Sequence, residues 1–352
     1  MADPNALDLE RLREEVGQPG QLTVLQHYVP VCYLEKFTDS TGGFHVLDKR
    51  TEREFRSGPK AVAAERRFYE LAGAEVDSTR EVFNELQLAE RSLQIIEGEF
   101  SRHLNLFISE APYIGVSEDV RRGIARYMVI QHLRSERTRR RIVEMHNAGL
   151  TVWGKAQLEH KSGPGTADNM RLRLNPADEA LAHLQALFDP EFWDRLEPIF
   201  LGHIWLCAVA PDGTAFSTSD HPIALKIPNG MRGGLGSPGV EIAFPVSSRL
   251  CLLLKDRGAF SALEHLDGKV IQISEADVTL ANRMQAASAR RWIFHVTPDF
   301  ADLRRFCRSH PFLLDTERED LQTIYHKGRR TREGKGQLVQ FTGKPHSIDW
   351  YV

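Results

Sequence analysis

The spacing of apolar residues changes from helical to extended near residue 200, and this change constrains the fold more than any other feature. Between residues 80 and 110, apolar side chains recur at the intervals of a long amphipathic helix. Asn175 and Asp189, each followed by proline, have the pattern of two further helix starts. After Ile204 the apolar runs are short and bounded by turn residues, as is typical of strands. We therefore expect helices in the middle of the chain and strands after them.

A hairpin near the N-terminus adds two strands to this pattern, because residues 44–48 and 52–56 flank a polar turn. Strands at both ends with helices between them indicate an α+β fold. The prediction is a mostly antiparallel sheet, built from the hairpin and the strands after residue 200. The middle of the chain contributes a helical layer packed against that sheet.

Length and composition indicate how the chain is divided, since 352 residues suffice for one large domain or two modest ones. Residues 1–25 are polar and acidic and are predicted to form a flexible lead-in. Residues 26–300 are predicted to form a single α+β domain, with a helical block at 80–199 and a sheet block at 200–296. Residues 301–352 are predicted to be a C-terminal extension.

The charge distribution limits the partners that the chain can bind. The net charge is only −3, so nucleic-acid binding would require a local patch. Residues 326–332 form a short basic segment, for which we expect an acidic partner.

No apolar run is long enough to cross a bilayer, and the acidic N-terminus does not resemble a signal peptide. We therefore expect a cytoplasmic protein without a membrane partner. The four cysteines are isolated from one another and form no CxxC pair, so neither a zinc ribbon nor a disulfide framework is expected. The sequence identifies no cofactor.

The first candidate functional residues are His27 and Tyr28, which directly precede a short helix with Pro30 in its first turn. The free N–H groups of a helix start favour anions, and a histidine and a tyrosine there can exchange protons with a bound group. The alternative is that His27 is a hydrogen-bonded packing residue and Tyr28 a core aromatic.

A predicted helix beginning after Ser117 carries the next candidates, Gln131 and Arg134, on its buried stripe. A buried amide and a buried guanidinium must find partners, because leaving them unpaired is costly. Arg134 therefore either holds a structural carboxylate or faces a cleft that receives an anionic ligand.

Two further candidate positions lie in the C-terminal half. Asp220 and His221 are expected at the end of a strand, where functional side chains often occur. The alternative for Asp220 is a turn in which it only caps its own backbone. Asn282 lies on a late predicted helix, where its amide could orient a partner or a ligand.

Several of these residues belong to motifs that occur in a fixed order in one bacterial family. In this chain the motifs are His27-Tyr28-Val29-Pro30 with Tyr33, Leu34 and Phe37, then Ala63-Ala64-Glu65 with Phe68-Tyr69, Gln131 with Arg134, Thr218-Ser219-Asp220-His221-Pro222, Phe244-Pro245-Val246-Ser247, and Ala281-Asn282 with Ala289. Over about residues 26–296 the chain resembles domain of unknown function 4238. The resemblance implies a family and no assigned activity.

The familiar hydrolase and dinucleotide motifs are missing from the sequence, which has no GxSxG, no HExxH and no strand followed by GxGxxG and a helix. An Asp-His pair provides too few ligands to argue for a metal site. The remaining constellation would suit hydrolysis of a phosphodiester, with RNA or a nucleotide as substrate. In that hypothesis the catalytic residues are His27, Tyr28 and Asp220, and the substrate-binding residues are Gln131, Arg134, His221 and Asn282.

The alternative hypothesis is a binding or sensing module without turnover. In that case the same polar residues form a buried network that closes the helices onto the sheet. The two hypotheses differ in geometry, since an enzyme needs His27, Arg134 and Asp220 on an open pocket and a network pairs them internally.

Overall fold

The computed structural model of the protein describes residues 16–17, 22–71, 78–114, 116–163, 165–166, 169–228, 233–318, 321–326, 330–331, 334–335, 338–343 and 347–352. Most of the predicted lead-in lies outside the described residues. Of the basic segment, residues 327–329 and 332 also lie outside them.

Helices occupy the middle of the chain, as the sequence predicts. After the short helix α1 at Val31–Leu34 they are α2 Ser78–Glu85, α3 Leu88–Ile114, α4 Glu118–Arg134, α5 Glu136–Ser162, α6 Pro176–Phe188 and α7 Pro190–Gly202, followed later by α8 Glu275–Ser288 and α9 Ala301–Ser309. Each of the helices α4 to α8 is capped by a side chain that accepts a backbone N–H group of its first turn. The capping residues are Ser117, Ser135, Asn175, Asp189 and Ser274.

The strands confirm the α+β class. They are β1 Leu25–His27, β2 Phe44–Asp48, β3 Arg53–Ser57, β4 Ala64–Arg66, β5 Ile204–Val209, β6 Thr218–Ser219, β7 Ala224–Lys226, β8 Glu241–Pro245, β9 Leu250–Lys255, β10 Lys269–Gln272, β11 Trp292–His295, β12 Leu321–His326, β13 Arg330–Thr331, β14 Gly334–Lys335 and β15 Leu338–Gly343. The predicted N-terminal hairpin is present as the antiparallel pair β2 and β3.

The predicted single sheet is divided in two. One sheet has the order β10-β5-β9-β8-β7 and contains one parallel pair, β10 with β5. The other has the order β3-β2-β11-β6 and joins the N-terminal hairpin to strands after residue 200. The prediction of one sheet was wrong in this respect, because β11 and β6 pair with the hairpin instead of extending the larger sheet.

The five-stranded sheet lies between two apolar clusters, because its alternate side chains point to opposite faces. Cys207, Phe244 and Leu252 face the larger cluster, which includes the buried stripes of α3 and α4. Ala243 and Cys251 face the smaller cluster, which includes α8 and α9. Helices therefore cover both faces of this sheet. The helical layer predicted from the middle of the chain covers one of these faces.

The helix predicted over residues 80–110 is interrupted at Gln87, between α2 and α3. Gln87 has a φ of 47°, a left-handed conformation that costs free energy for a residue other than glycine. Its side-chain amide compensates, since Oε1 accepts from the Thr23 N–H at 2.9 Å and Nε2 donates to the Thr23 carbonyl at 3.1 Å. The break thereby holds the chain just before β1 against the start of α3.

Residues beyond 300 pack on the α8 side of the molecule. Phe306 of α9 and Trp350 belong to the smaller apolar cluster, and Arg283 of α8 donates to the Trp350 carbonyl at 2.8 Å. Among the described residues, none of the helices has a stretch both long and apolar enough to cross a membrane.

Candidate functional site

Helix α4 holds the backbone of the His27-Tyr28 pair. The Gln131 side chain is fully buried, and its Nε2 donates to the Tyr28 carbonyl at 3.0 Å. The Gln131 Oε1 accepts from the Tyr127 hydroxyl at 2.7 Å. One turn later, Arg134 Nη2 donates to the His27 carbonyl. The buried stripe of α4 therefore fixes the end of β1 through two adjacent carbonyl groups.

The remaining contacts of Arg134 are also internal. Its side chain is only 1% exposed, Nη1 donates to Glu97 Oε1 of α3 at 2.7 Å, and Nε donates to the Tyr69 hydroxyl at 3.2 Å. The Tyr69 hydroxyl in turn donates to the His27 carbonyl at 3.1 Å. The observed contact corresponds to the first of the two alternatives for Arg134, in which it holds a structural carboxylate. That carboxylate belongs to Glu97.

Asp220 fixes the turn between α8 and β11. Its carboxylate accepts the backbone N–H groups of Arg290 at 2.7 Å, Arg291 at 2.7 Å and Trp292 at 2.9 Å. The side chain is 3% exposed. Burial raises the pKa of Asp220, although the three N–H groups act in the opposite direction. Asp220 caps backbone groups, but these belong to a distant segment and not, as the alternative expects, to its own turn.

His221 and Asn282 also have internal partners. His221 is buried, and its Nδ1 lies 2.7 Å from the hydroxyl of Ser135, the cap between α4 and α5. Asn282 Oδ1 accepts from the Ser217 N–H at 2.7 Å, and Nδ2 donates to the Ala215 carbonyl at 3.0 Å. These contacts join α8 and α5 to the segment around β6.

Tyr28 is a buried aromatic residue that packs against Phe68 with a ring separation of 5.3 Å. Burial raises the pKa of its hydroxyl well above the ordinary value, and the negative charges of Asp220, Glu136 and Glu65 act in the same direction. The hydroxyl therefore keeps its proton at neutral pH and cannot serve there as a base.

The imidazole of His27 has a buried polar atom without a hydrogen-bond partner among the described residues. Burial lowers its pKa, while a hydrogen bond with the Lys60 backbone and the charge of Glu97 partly oppose that effect. Among the described residues, no group forms a hydrogen bond with the buried Nε2 atom. The residue as a whole is half-buried, although this nitrogen is itself shielded from solvent.

Three side chains, those of His27, Cys32 and Glu90, share the electrostatic influence of Glu97 and Arg134, and we call these five residues the His27 niche. Glu97 and Arg134 act electrostatically on both His27 and Cys32, and both also act on Glu90. The side chain of Glu97 is 26% exposed, and the others apart from Arg134 are also partly exposed. The niche is therefore the partly exposed margin of the buried cluster around Arg134.

Sequence reasoning missed the two glutamates of the niche. Glu90 and Glu97 are seven residues apart on α3, so they lie on one face of the helix. Burial raises the pKa of Glu90 to about 7, and its buried Oε2 atom has no hydrogen-bond partner in the described part of the chain. The sequence did contain a signal for Glu97. This carboxylate lies between the core residues Leu93 and Phe100, on a helix that is expected to pack beside a buried arginine.

An open groove is lined by Lys60, the residue whose backbone raises the pKa of the His27 imidazole. The groove has a volume of about 560 Å³ and is lined by Glu35, Thr38, Gly42, Gly58, Pro59, Lys60 and Ala61.

The described residues contain no group of three His, Cys, Asp or Glu side chains arranged to hold a metal ion. The structure brings His27, Tyr28, Gln131 and Arg134 into one cluster, and Asp220 lies close enough to act electrostatically on Tyr28. His221 and Asn282 belong to the neighbouring contacts between helices and sheet. The catalytic and substrate-binding roles of these residues remain predictions.

The fold and these contacts define an α+β protein whose family motifs meet where α4, β1 and the end of α8 come together. The family model described as "Protein of unknown function (DUF4238)" matches residues 25–299. Because the match covers most of the chain, the protein belongs to that family, which confirms the resemblance found in the sequence. No curated protein and no solved structure matches the chain significantly.

Proposed function

We propose that the protein is a non-catalytic binding or sensing module whose motif residues stabilise the fold around a ligand site. The observation that carries this proposal is the set of partners of Gln131, Arg134, Asp220 and Asn282. Each of these side chains bonds backbone groups of another segment in the interior. Such contacts consume the polar atoms that a substrate would need.

The electrostatics of the His27 niche also favour a binding module over phosphodiester hydrolysis. A phosphate beside His27 would lie near the carboxylate of Glu97, and Arg134 already pairs with that carboxylate. Like charges at short range in a partly desolvated site are unfavourable. Of the two charged side chains that act on His27, the cation Arg134 is therefore already committed to Glu97.

The second candidate is the phosphodiester hydrolase, and the unpartnered Nε2 atom of His27 is the observation that favours it. A neutral imidazole with an available nitrogen can act as a general base. This candidate requires RNA or a nucleotide to enter the niche despite the two glutamates, with Asp220 released from its three N–H groups.

A cleavage assay with matched variants separates the two candidates. Labelled RNA and nucleotides are incubated with the full chain, with His27→Ala and with His103→Ala, a variant of a histidine on α3 outside the niche. The binding module predicts no cleavage that depends on His27. Turnover that His27→Ala abolishes and His103→Ala retains, with both variants folded, would establish the hydrolase instead.

A further inference from the structure

We infer that the guanidinium groups of Arg140 and Arg290 form a binding site for the carboxylate of a small organic acid, and that Glu317 of the same chain occupies this site. None of these residues belongs to the His27 niche, so the inference does not depend on the proposed function. The site lies where the start of α5, the turn between α8 and β11 and the segment after α9 come together.

The two guanidinium groups share two carboxylates. Arg140 Nε donates to Glu136 Oε1, and Arg290 Nε lies 3.3 Å from the other oxygen of that carboxylate. The Nη atoms face Glu317. Arg140 donates from Nη1 to Glu317 Oε2 and from Nη2 to Oε1 at 3.5 Å, and Arg290 Nη2 lies 3.7 Å from Oε2. One oxygen, Glu317 Oε2, therefore marks the point on which both guanidinium groups converge.

The two carboxylates differ in exposure. The side chain of Glu136 is 17% exposed, whereas that of Glu317 is 68% exposed. An ion pair with an exposed partner contributes little to stability, because water and salt compete for its charges. Glu136 is thus a fixed part of the site, and Glu317 is an occupant that another carboxylate can replace.

Arg290 has donors that the present occupant leaves unsatisfied. Its side chain is only 6% exposed, and neither Nε nor Nη2, both of them buried, forms a hydrogen bond among the described residues. The 3.7 Å between Nη2 and Glu317 Oε2 is longer than a charge-assisted hydrogen bond, which measures about 2.7–2.9 Å. A free carboxylate has no tether to the backbone, so it can move towards Nη2 while it keeps its bonds with Arg140.

The backbone around Glu317 is held independently of the Glu317 side chain. Thr316 and Arg318 are buried, Arg290 Nη1 donates to the Arg318 carbonyl at 3.2 Å, and the Glu317 N–H donates to Asp315 Oδ1 at 2.9 Å. Rotation of the side chain about its own bonds is therefore enough to vacate the site. Because the turn stays in place, the site suits a small acid better than a large partner.

The charge of the vacated site matches one carboxylate. Arg140 and Arg290 each carry one positive charge and Glu136 carries one negative charge, so one positive charge is left without Glu317. Arg50 also attracts an anion at the Glu317 position. A carboxylate has one negative charge and two coplanar oxygens, which suit the planar guanidinium fork. A dianion such as sulfate would bring a second negative charge close to Glu136.

The test removes the internal occupant and supplies the missing fragment. Glu317→Ala deletes the last methylene group and the carboxylate, which together correspond to acetate. The full chain with labelled arginine side chains is titrated with sodium acetate at pH 6.5, and NMR follows the Nε–H signals of Arg140 and Arg290. Acetamide, sodium sulfate and sodium chloride are the controls at one ionic strength.

Acetate is expected to shift both signals saturably in Glu317→Ala, and the controls are not. The original chain should need about tenfold more acetate for the same shift, because its own carboxylate is tethered beside the site and competes. Arg290→Lys identifies the Arg290 signal. Arg140→Gln identifies the Arg140 signal and, combined with Glu317→Ala, should abolish saturable binding. The Arg140 side chain is 41% exposed, so this substitution is expected to leave the fold intact.

A matched control tests whether two arginines are required. Glu52→Ala removes a carboxylate whose oxygens accept from a single arginine, Arg308, at 2.8 and 2.9 Å. Acetate should cause no saturable shift of the Arg308 signal in that variant. Saturation of Arg308 with the same affinity would show that any arginine deprived of its partner binds acetate, and it would overturn the inference.

Two further results would overturn it. One is the lack of a saturable acetate shift in Glu317→Ala, or binding of sulfate as tight as that of acetate. The other is an equal affinity for acetate in Glu317→Ala and the original chain, since Glu317 would then not occupy the site. Neither result bears on the cleavage assay for His27, so the proposed function stands or falls separately.

Discussion

At the scale of single residues, two buried charged side chains, those of Asp220 and Lys49, bind backbone atoms. Asp220 accepts three backbone N–H groups, and Lys49 donates from Nζ to the carbonyls of Ala286 and Ala289 at 2.7 and 2.8 Å. Both residues thus fix the chain where α8 ends and β11 begins. A buried backbone group that loses its partner costs about 1–3 kcal/mol, so each of these side chains contributes to stability.

Asp220→Asn should destabilise the protein by about 2–4 kcal/mol, because an amide places N–H donors against the backbone N–H groups that the carboxylate now accepts. The free energy of unfolding in urea measures this change. Asp212→Asn, at an exposed aspartate, is the control and should change stability by less than about 0.5 kcal/mol. Equal stability of the two variants would contradict the role assigned to Asp220.

Glu90 should make stability depend on pH. Its pKa is about 7 in the folded protein against an ordinary value of 4.5, so between these pH values the folded state keeps a proton that the unfolded state loses. Stability therefore falls as pH rises from 4.5 to 7, by roughly 1–2 kcal/mol after allowance for partial exposure.

The measurement for Glu90 is urea unfolding of the original chain and Glu90→Gln across this pH range. In Glu90→Gln, the free energy of unfolding should depend less on pH, because the contribution from Glu90 is removed. Glu99→Gln, on the exposed side of the same helix, should keep the pH dependence of the original chain. An identical pH dependence in all three proteins would show that Glu90 titrates normally in the folded state.

At the scale of elements, α4 connects the N-terminal segment with the rest of the helical layer. Its buried stripe combines apolar residues with Gln131 and Arg134, which bond the carbonyls of Tyr28 and His27. Strand β1 pairs only with the short strand β4 in the described structure. Because so few ladder bonds hold β1, the contacts from α4 should decide how firmly it stays in place.

Arg134→Met should loosen β1 more than it loosens the sheets. The amides of Tyr28 and Val29 donate to the Ala63 carbonyl at 3.0 and 3.4 Å, and their hydrogen exchange should accelerate when the His27 carbonyl loses the Arg134 guanidinium and keeps only the Tyr69 hydroxyl as a partner. Exchange of β5 amides is the internal reference. Arg134→Lys keeps the charge and loses the planar fork, so it should have an intermediate effect. Uniform acceleration in β1 and β5 would contradict a local role.

At the scale of the whole molecule, two apolar clusters lie on opposite faces of the larger sheet. The smaller cluster extends past residue 300, where Trp350 is buried near Phe306 at a ring separation of 6.0 Å. The end of the chain therefore helps to cover α8, although the boundary predicted at residue 300 remains a prediction. Contacts across such a cluster couple distant parts of the sequence.

Trp350→Ala should destabilise the protein by about 3 kcal/mol, since it removes a buried aromatic side chain from a packed cluster. Thermal or urea unfolding measures the loss. Tyr351→Ala changes the neighbouring residue, which is exposed, and should be nearly neutral. A neutral Trp350→Ala would mean that the chain end contributes little to the fold.

Local signals explain what could be predicted from the sequence. Helix caps, the N-terminal hairpin and the buried stripe of α4 depend on neighbouring residues, so periodicity and turn residues identify them. The division into two sheets depends on which strands pair across more than 240 residues, as when Ile293 pairs with Leu47. The spacing of residue types along the chain does not indicate which distant strands pair.

The candidate site shows the same limit. Buried stripes indicated that Gln131 and Arg134 need partners, and that expectation follows from the cost of unpaired polar groups. The identity of the partners, the His27 and Tyr28 carbonyls and Glu97, is set by how α3, α4 and β1 pack together. Glu90 was missed because a glutamate on an amphipathic helix usually faces solvent.

The most direct measurement of the central claim, that the motif residues serve as internal structural contacts, is a double-mutant cycle for Arg134 and Glu97. Urea unfolding of Arg134→Met, Glu97→Gln and the double variant gives their coupling free energy. The buried ion pair at 2.7 Å predicts a large loss in Arg134→Met and a coupling of about 1–3 kcal/mol. The account would be contradicted if Arg134→Met had the same free energy of unfolding as the original chain and the coupling free energy were near zero.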